Sequence, residues 1–263
     1  MSAVDGGFGL PQMSEEEMFS LLLSEDADRD DSEPAIAAGI GEQMLHMSLR
    51  PLPRSMRTRI RDISGRIPAK NAVLIGGGIG HLSAWLLDLW CGDPANLPEI
   101  PPSRPDSFRI VEPGGKFGVI IDRLIRRHGA EGWTQIIQMP WNELAAEAAT
   151  WSAATAALPQ NAKPSPLPLP IDLVVVDVPE DERATTARSA FDLLSAGGVL
   201  LVQEPEVPTG DVGVADSPSE MTSAQKKVES FNQWISFVKH VSDNHSLGFV
   251  ELTGGTLAVL RRT

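Results

Sequence analysis

The sequence predicts an α/β fold built on a doubly wound, mostly parallel sheet, and three observations predict it. From Ala69 onward, short apolar runs alternate with stretches of helical periodicity, which is how strands feeding crossover helices read. The first run, Ala72-Val73-Leu74-Ile75, enters the glycine turn Gly76-Gly77-Gly78-Ile79-Gly80, and His81-Leu82-Ser83-Ala84-Trp85 then opens a helix. The last two apolar runs flank Thr253-Gly254-Gly255, the spacing of a β-hairpin.

The elements follow in order. Ser14 with Glu17 is a capping-box pattern ahead of an apolar helical face of Met18, Phe19, Leu22 and Leu23, and the acidic run from Glu25 to Glu33 ends that helix. A second helix over about 35–49 places Ile36, Ile40, Met44 and Met47 at spacings of three or four, and Pro51 and Pro53 break it. Residues 54–66 carry Arg54, Arg57, Arg59, Arg61 and Arg66, which read as a solvated helix surface, with an anion-binding face as the alternative. Residues 1–66 are thus a helical N-terminal extension, and residues 67–263 form the main domain.

Within that domain, strands are expected at 71–76, 107–112, 133–138, 171–177 and 197–203, with helices at about 80–91, 115–128, 141–156 and 181–195. The second of these helices closes with Arg126, Arg127, His128 and Gly129, cations followed by a glycine stop. Two insertions, 92–106 and 158–170, hold five prolines each and read as stiff surface connections. Val228, Phe231, Ile235, Val238 and Val241 line one face of a longer helix before strands at 247–252 and 256–261.

Composition limits the function classes. With 42% hydrophobic and 22% charged residues, there is enough apolar surface to cover both faces of a parallel sheet. A formal charge of −13 repels phosphate backbones and anionic headgroups, so no nucleic-acid or membrane partner is expected. Cys91 is the only cysteine; it forms no internal disulfide and fits a reducing compartment. An acidic N-terminus and the lack of a run of ~18 apolar residues point to a soluble, cytoplasmic chain. His46, His81, His128, His240 and His245 show no metal-ligand spacing and are assigned no catalytic part, while the six tryptophans read as core, with Trp141 as a candidate for a pocket.

The glycine turn is the expected place for a nucleotide-type cofactor: glycine lets a ligand approach the main chain, and the helix start offers free N–H donors. Flavin and nicotinamide domains use G-x-G-x-x-G, and here the third position is His81 or Ser83 depending on register. The form G-x-G-x-G at Gly76, Gly78 and Gly80 is intact, and it is usual in methyltransferases. Glu112 closes the strand Phe108-Arg109-Ile110-Val111, where a carboxylate can accept both ribose hydroxyl hydrogens of an adenosyl group. A tight turn without ligand and a solvated strand-end acid are the plainer alternatives.

Taken together, VLIGGGIGHLSAW, FRIVEP, IDLVVVDVPED, LLSAGGVLLVQEP and FNQW with LTGGTLAVLRR resemble the catechol and caffeoyl-coenzyme-A O-methyltransferases, a class of S-adenosylmethionine (SAM)-dependent enzymes with a Rossmann-like methyltransferase fold. The resemblance spans roughly residues 40–263. It implies a seven-stranded sheet completed by an antiparallel C-terminal hairpin, SAM as cofactor, a small-molecule hydroxyl as acceptor and a homodimer. It places Gly76, Gly78 and Gly80 along the amino-acid portion of SAM, Glu112 at the ribose, and Pro140 and Trp141 near the adenine. Asp177, at the tip of the fourth strand, stands where the family holds a divalent cation such as magnesium. A bound cation would act as a Lewis acid on a catechol-like hydroxyl.

The sequence also departs from the family. Gln203-Glu204 replaces an Asp-Asn pair, Glu180 replaces a lysine base, and Leu74 replaces an acid of the first strand. Asp177, Gln203 and Glu204 remain positional candidates for a metal, Asp177 and Glu204 for catalysis, and Asp177 also for cofactor binding. As a cluster, Asp177, Glu180, Asp181 and Glu182 read first as a solvated helix start favoured by the helix dipole, with a catalytic or metal role as the alternative. The N-terminal helices are expected to cover the acceptor pocket, with the loop 204–222 as its other wall. The alternatives are a catalytically silent SAM-binding interaction protein, an aminopropyltransferase-like enzyme, and a flavin- or nicotinamide-binding enzyme.

Overall fold

A computed structural model describes residues 13–25, 31–153, 165–210 and 221–263. Parts of the acidic run (26–30), of the second proline insertion (158–164) and of the loop after the fifth strand (211–220), together with the predicted end of the helix beyond residue 153, lie outside the described residues. Three helices come first, α1 (Glu15–Leu23), α2 (Ala35–His46) and α3 (Arg54–Arg66). The alternating part follows as β1 (Asn71–Ile75), α4 (His81–Cys91), β2 (Ser107–Val111), α5 (Gly115–Arg127), β3 (Thr134–Ile137), α6 (Trp141–Ala153), β4 (Ile171–Val176), α7 (Glu180–Phe191) and β5 (Leu194–Gln203). The chain closes with α8 (Ser223–Asn244), β6 (Ser246–Leu252) and β7 (Gly255–Arg261).

The strands form one seven-stranded sheet in the order β3-β2-β1-β4-β5-β7-β6. The first five are parallel, and β7 runs antiparallel to both β5 and β6, so the expected mostly parallel sheet with an antiparallel hairpin is present. Side chains alternate between faces along each strand. Leu173 and Val175 enter one apolar cluster with Met56, Ile60, Trp85 and Ile121 from α3, α4 and α5. Val174 and Val176 enter the other, with Leu144, Ala187 and Trp234 from α6, α7 and α8. Two helical layers therefore cover the sheet, as strands apolar on both faces require. None of the described helices is long and apolar enough to cross a membrane.

The N-terminal extension departs from expectation in two ways. Its arginine helix is not a solvated surface: Arg59 is 1% and Arg57 7% exposed. Arg59 pairs with Asp62 and donates to the carbonyls of Leu23 and Ser24, while Arg66 donates to those of Leu21 and Ser24. These carbonyls end α1, where orphan acceptors and the dipole both favour a cation. The position of α1 also narrows the lid expectation. It packs through Phe19 and Leu23 on Gly248 of β6, and Glu15 pairs with Arg261 at the last residue of β7. That end of the sheet is opposite the tips where β1 and β4 finish, so only α2 and the start of α3 stand near those tips. Ser55 Oγ there donates to Thr253 O in the hairpin turn at 2.6 Å.

One boundary moved by several residues. Strand β5 begins at Leu194 instead of 197, and α7 ends at Phe191 instead of 195. The register between β4 and β5 shifts between Ile171 and Leu173, and Gly197 adopts φ +81° inside the strand. The glycine pair at the expected strand start is an irregularity within a longer strand.

Candidate active site

Strand order reverses between β1 and β4, because the chain first builds outward through β2 and β3 and then returns to the other side of β1. Ligands bind in the crevice that such a switch point leaves beyond the strand tips. The glycine turn fills this place. Gly76, Gly78 and Gly80 all have positive φ, at 91°, 49° and 93°, a region that side chains disfavour. A Cβ on Gly76 would overlap the carbonyl oxygen of Asp177, whereas nothing lies within 4 Å of one on Gly78. The turn is thus wedged against β4 at one glycine and open at the next.

Glu112, 8% exposed, links this turn to the one after β2. Its Oε2 accepts from Gly78 N at 2.7 Å and its Oε1 from Gly114 N at 2.7 Å. The first turn of α4 has no side-chain cap and no acidic residue, so its N–H donors suit an anionic group. A cavity of about 950 Å³ lies on the α6–α7 side, with Gly76, Glu112, Pro140, Trp141, Val178 and Glu182 in its wall. Trp141 is held there by its indole N–H, which donates to Ser189 Oγ at 2.9 Å. Of the predicted cofactor residues, the structure brings Gly76, Glu112, Pro140 and Trp141 onto one cleft. Gly78 and Gly80 shape the turn behind it. An open glycine backbone, a fixed carboxylate at the β2 tip and uncapped N–H donors together fit an adenosyl cofactor.

Asp177, Gln203 and Glu204 lie outside this cleft. Asp177 continues the β4 ladder through its N–H to Ile75 O at 2.8 Å. Part of its surface stays open to solvent, yet dense surroundings raise its carboxyl to about 6 against the opposing pull of Arg183. Gln203 turns its amide nitrogen to Gly254 O at 3.3 Å, and Glu204 Oε1 accepts from the Trp234 indole at 3.2 Å. These donors do not fit a divalent cation, which needs several oxygens converging on one point. No group of three or more His, Cys, Asp or Glu converges on a point anywhere among the described residues.

Sequence reasoning passed over two groups here. His81, given no role, is 5% exposed and meets Arg57 Nη1 at 2.9 Å through Nε2. Arginine only donates, so Nε2 is the acceptor and the ring is neutral with its proton on Nδ1. Burial, then Arg57, lower its pKa to about 4 against the opposing effect of Glu33. Arg57 also pairs with Glu33, donates from Nε to Leu52 O at 3.0 Å and stacks 5.2 Å from the Trp85 ring. The second group is Arg183, whose Nε donates to Val178 O at 3.2 Å. Only an i+3 spacing from Glu180 could have flagged it.

The sheet order, the antiparallel hairpin and a glycine turn at the switch point define the class I methyltransferase fold. The sequence matches no protein-family model and no curated protein. Solved structures do match. An O-methyltransferase from Bacillus cereus in complex with SAH superposes with a TM-score of 0.58 at 13% identity, covering 94% of this chain and 96% of that one. An O-methyltransferase from Streptomyces achromogenes involved in tomaymycin synthesis, in complex with SAM, gives 0.56 at 15% identity over 96% and 100%. A proposed caffeoyl-CoA O-methyltransferase from Staphylococcus aureus gives 0.57 at 14% identity over 86% and 92%. The likeness is one of fold.

Proposed function

We propose that this chain is a SAM-dependent methyltransferase acting on a hydroxyl of a small molecule. The observation that carries the reading is Glu112, buried at the β2 tip and fixed by the N–H groups of Gly78 and Gly114. Its remaining lone pairs face the cleft and suit the two hydroxyl hydrogens of a ribose. The likeness to O-methyltransferase structures with SAH or SAM supports it.

SAM, when bound, supplies a methyl group activated by its sulfonium sulfur. Gly78 leaves the main chain open to the amino-acid portion, and the α4 N–H groups face its carboxylate. Pro140 and Trp141 bound the adenine side. Asp177 would accept the acceptor's hydroxyl proton as the methyl group passes to that oxygen. A carboxyl raised to about 6 is a better proton acceptor than an ordinary aspartate and is still mostly ionised at pH 7. Glu204, held by Trp234, stands beyond the β5 tip. Much of the acceleration comes from holding the two reactants in line.

Isothermal titration with SAM and S-adenosylhomocysteine tests this. Micromolar binding that weakens at least about ten-fold in Glu112→Ala is expected, since the lost charge-assisted hydrogen bonds are each worth roughly 1.5–3 kcal/mol. No binding by the folded protein would overturn the reading. Sustained S-adenosylhomocysteine production with a panel of hydroxyl acceptors then separates an enzyme from a silent relative.

A further inference from the structure

We propose that Arg183 takes the place of a divalent cation at the tips of β4 and β5, so that the positive charge there is a permanent part of the chain. Four acids lie toward this end, Asp177, Glu180, Glu204 and Glu206, and the carboxylates of two of them, Glu180 and Glu204, are met by groups of the protein. Glu180 Oε1 accepts the Glu206 N–H at 2.8 Å, and its Oε2 pairs with Lys227 Nζ at 3.3 Å. Glu204 is taken by the Trp234 indole. Arg183 faces Asp177, Glu180 and Glu206, which together oppose the lowering of its pKa by burial. Its guanidinium folds back on the strand tip, with Nε donating to Val178 O at 3.2 Å.

That hydrogen bond holds the cation next to Asp177, whose carboxylate no hydrogen bond reaches among the described residues and which is less exposed than Glu206, the other acid in that position. A guanidinium stays charged at any ordinary pH, brings no exchangeable ligand and repels an incoming metal ion. The second element of the argument is α8. Ser230 Oγ donates to the carbonyls of Glu180 and Asp181 at 3.3 and 3.2 Å, so Lys227, Ser230 and Trp234, one helical turn apart, lock the start of α7 and the end of β5 to one helix. Arg183 is a positioning residue, keeping Asp177 ionised and oriented. That role in transfer rests on the methyltransferase reading; the substitution of charge does not.

The experiment is manganese binding to the purified full chain, followed by electron paramagnetic resonance, with no other ligand present. Wild-type protein is expected to bind no stoichiometric Mn²⁺ at millimolar concentration, and Arg183→Lys to behave the same. Arg183→Gln uncovers the carboxylates and is expected to gain at least about ten-fold in Mn²⁺ affinity, because ligand charge sets affinity at oxygen sites. Adding Asp177→Asn to that variant should remove the gain. Stoichiometric Mn²⁺ on the wild type that Asp177→Asn abolishes would overturn the proposal, as would a folded Arg183→Gln that gains nothing. If Arg183→Gln does not fold, the wild-type arm decides by itself. A failed SAM titration with this manganese pattern intact would remove the methyltransferase reading and leave the charge substitution standing.

Discussion

Two ionic clusters flank the glycine turn, and they are built on opposite plans. On the α2–α4 side, Glu33, Arg57 and His81 close on one another, with Leu52 O and the Trp85 ring completing the arginine's surroundings. On the α7 side, Arg183 spends one donor on Val178 O and leaves Asp177 raised to about 6 and partly open to solvent. Both clusters hold a group whose charged form burial disfavours, a histidine in one and an aspartate in the other. The closed cluster uses that to fasten the N-terminal helices to the residue that starts α4. The open one leaves a carboxylate within reach of solvent, the setting that the proposed proton acceptor needs.

The comparison can be broken most forcefully at Arg57. Arg57→Met leaves Glu33 and His81 Nε2 without their partner, and removing one side of a buried pair costs about 3 kcal/mol or more; urea unfolding is expected to show that loss. His81 provides a pH signature of similar size. Its folded pKa, about 4, lies below the unfolded 6.5, so the folded state binds fewer protons between those values. Stability is complete above pH 6.5 and falls as pH drops toward 4, by up to ~3 kcal/mol, and His81→Gln should flatten that slope.

Asp177 has the opposite sign. Its folded pKa of about 6 lies above 3.8, so its contribution is present below pH 3.8 and is lost as pH rises through 6. Asp177→Asn should therefore be more stable than wild type at pH 7, by roughly 1–2 kcal/mol after allowance for its partial exposure, while methyl transfer falls and SAM affinity holds. Thermal melts beside turnover would check this, and a destabilised Asn variant would mean the two clusters are alike after all. The smallest effect is expected at Ser189. Ser189→Ala frees the Trp141 indole at a cost of about 1 kcal/mol, read as a few-fold rise in the SAM dissociation constant.

Much of the architecture was legible in the sequence because it depends on local pattern. Apolar runs of strand length, the glycine turn and the hairpin spacing placed the seven strands and brought Gly76 and Glu112 to neighbouring strand tips, while Pro140 and Trp141, which line the same cleft, were assigned to it only by the family resemblance. The start of β5 is placed too late because Leu194 and Ser195 continue the helical pattern, so that Gly197 reads as the first residue of a strand it in fact interrupts. The buried arginines of α3 were invisible for a different reason. Arg57 meets His81 24 positions away and Arg59 meets Leu23 36 positions away, and only the docking of helices decides whether an arginine faces solvent or a carbonyl. Arg183 was missed likewise, because its setting depends on how α7 and the tips of β4 and β5 meet.

At Gly76, the positive φ and the Asp177 carbonyl beneath it leave no room for even a methyl group. One atom-to-atom contact therefore couples the shape of the glycine turn to the placement of Asp177, the proposed proton acceptor. Lineages that drift in this protein can alter the α2 and α7 surfaces, but they cannot reshape the turn and move Asp177 separately at this point. In a saturation library, position 76 should tolerate no replacement, while position 78, two residues on and facing open space, should still admit Asn or Asp.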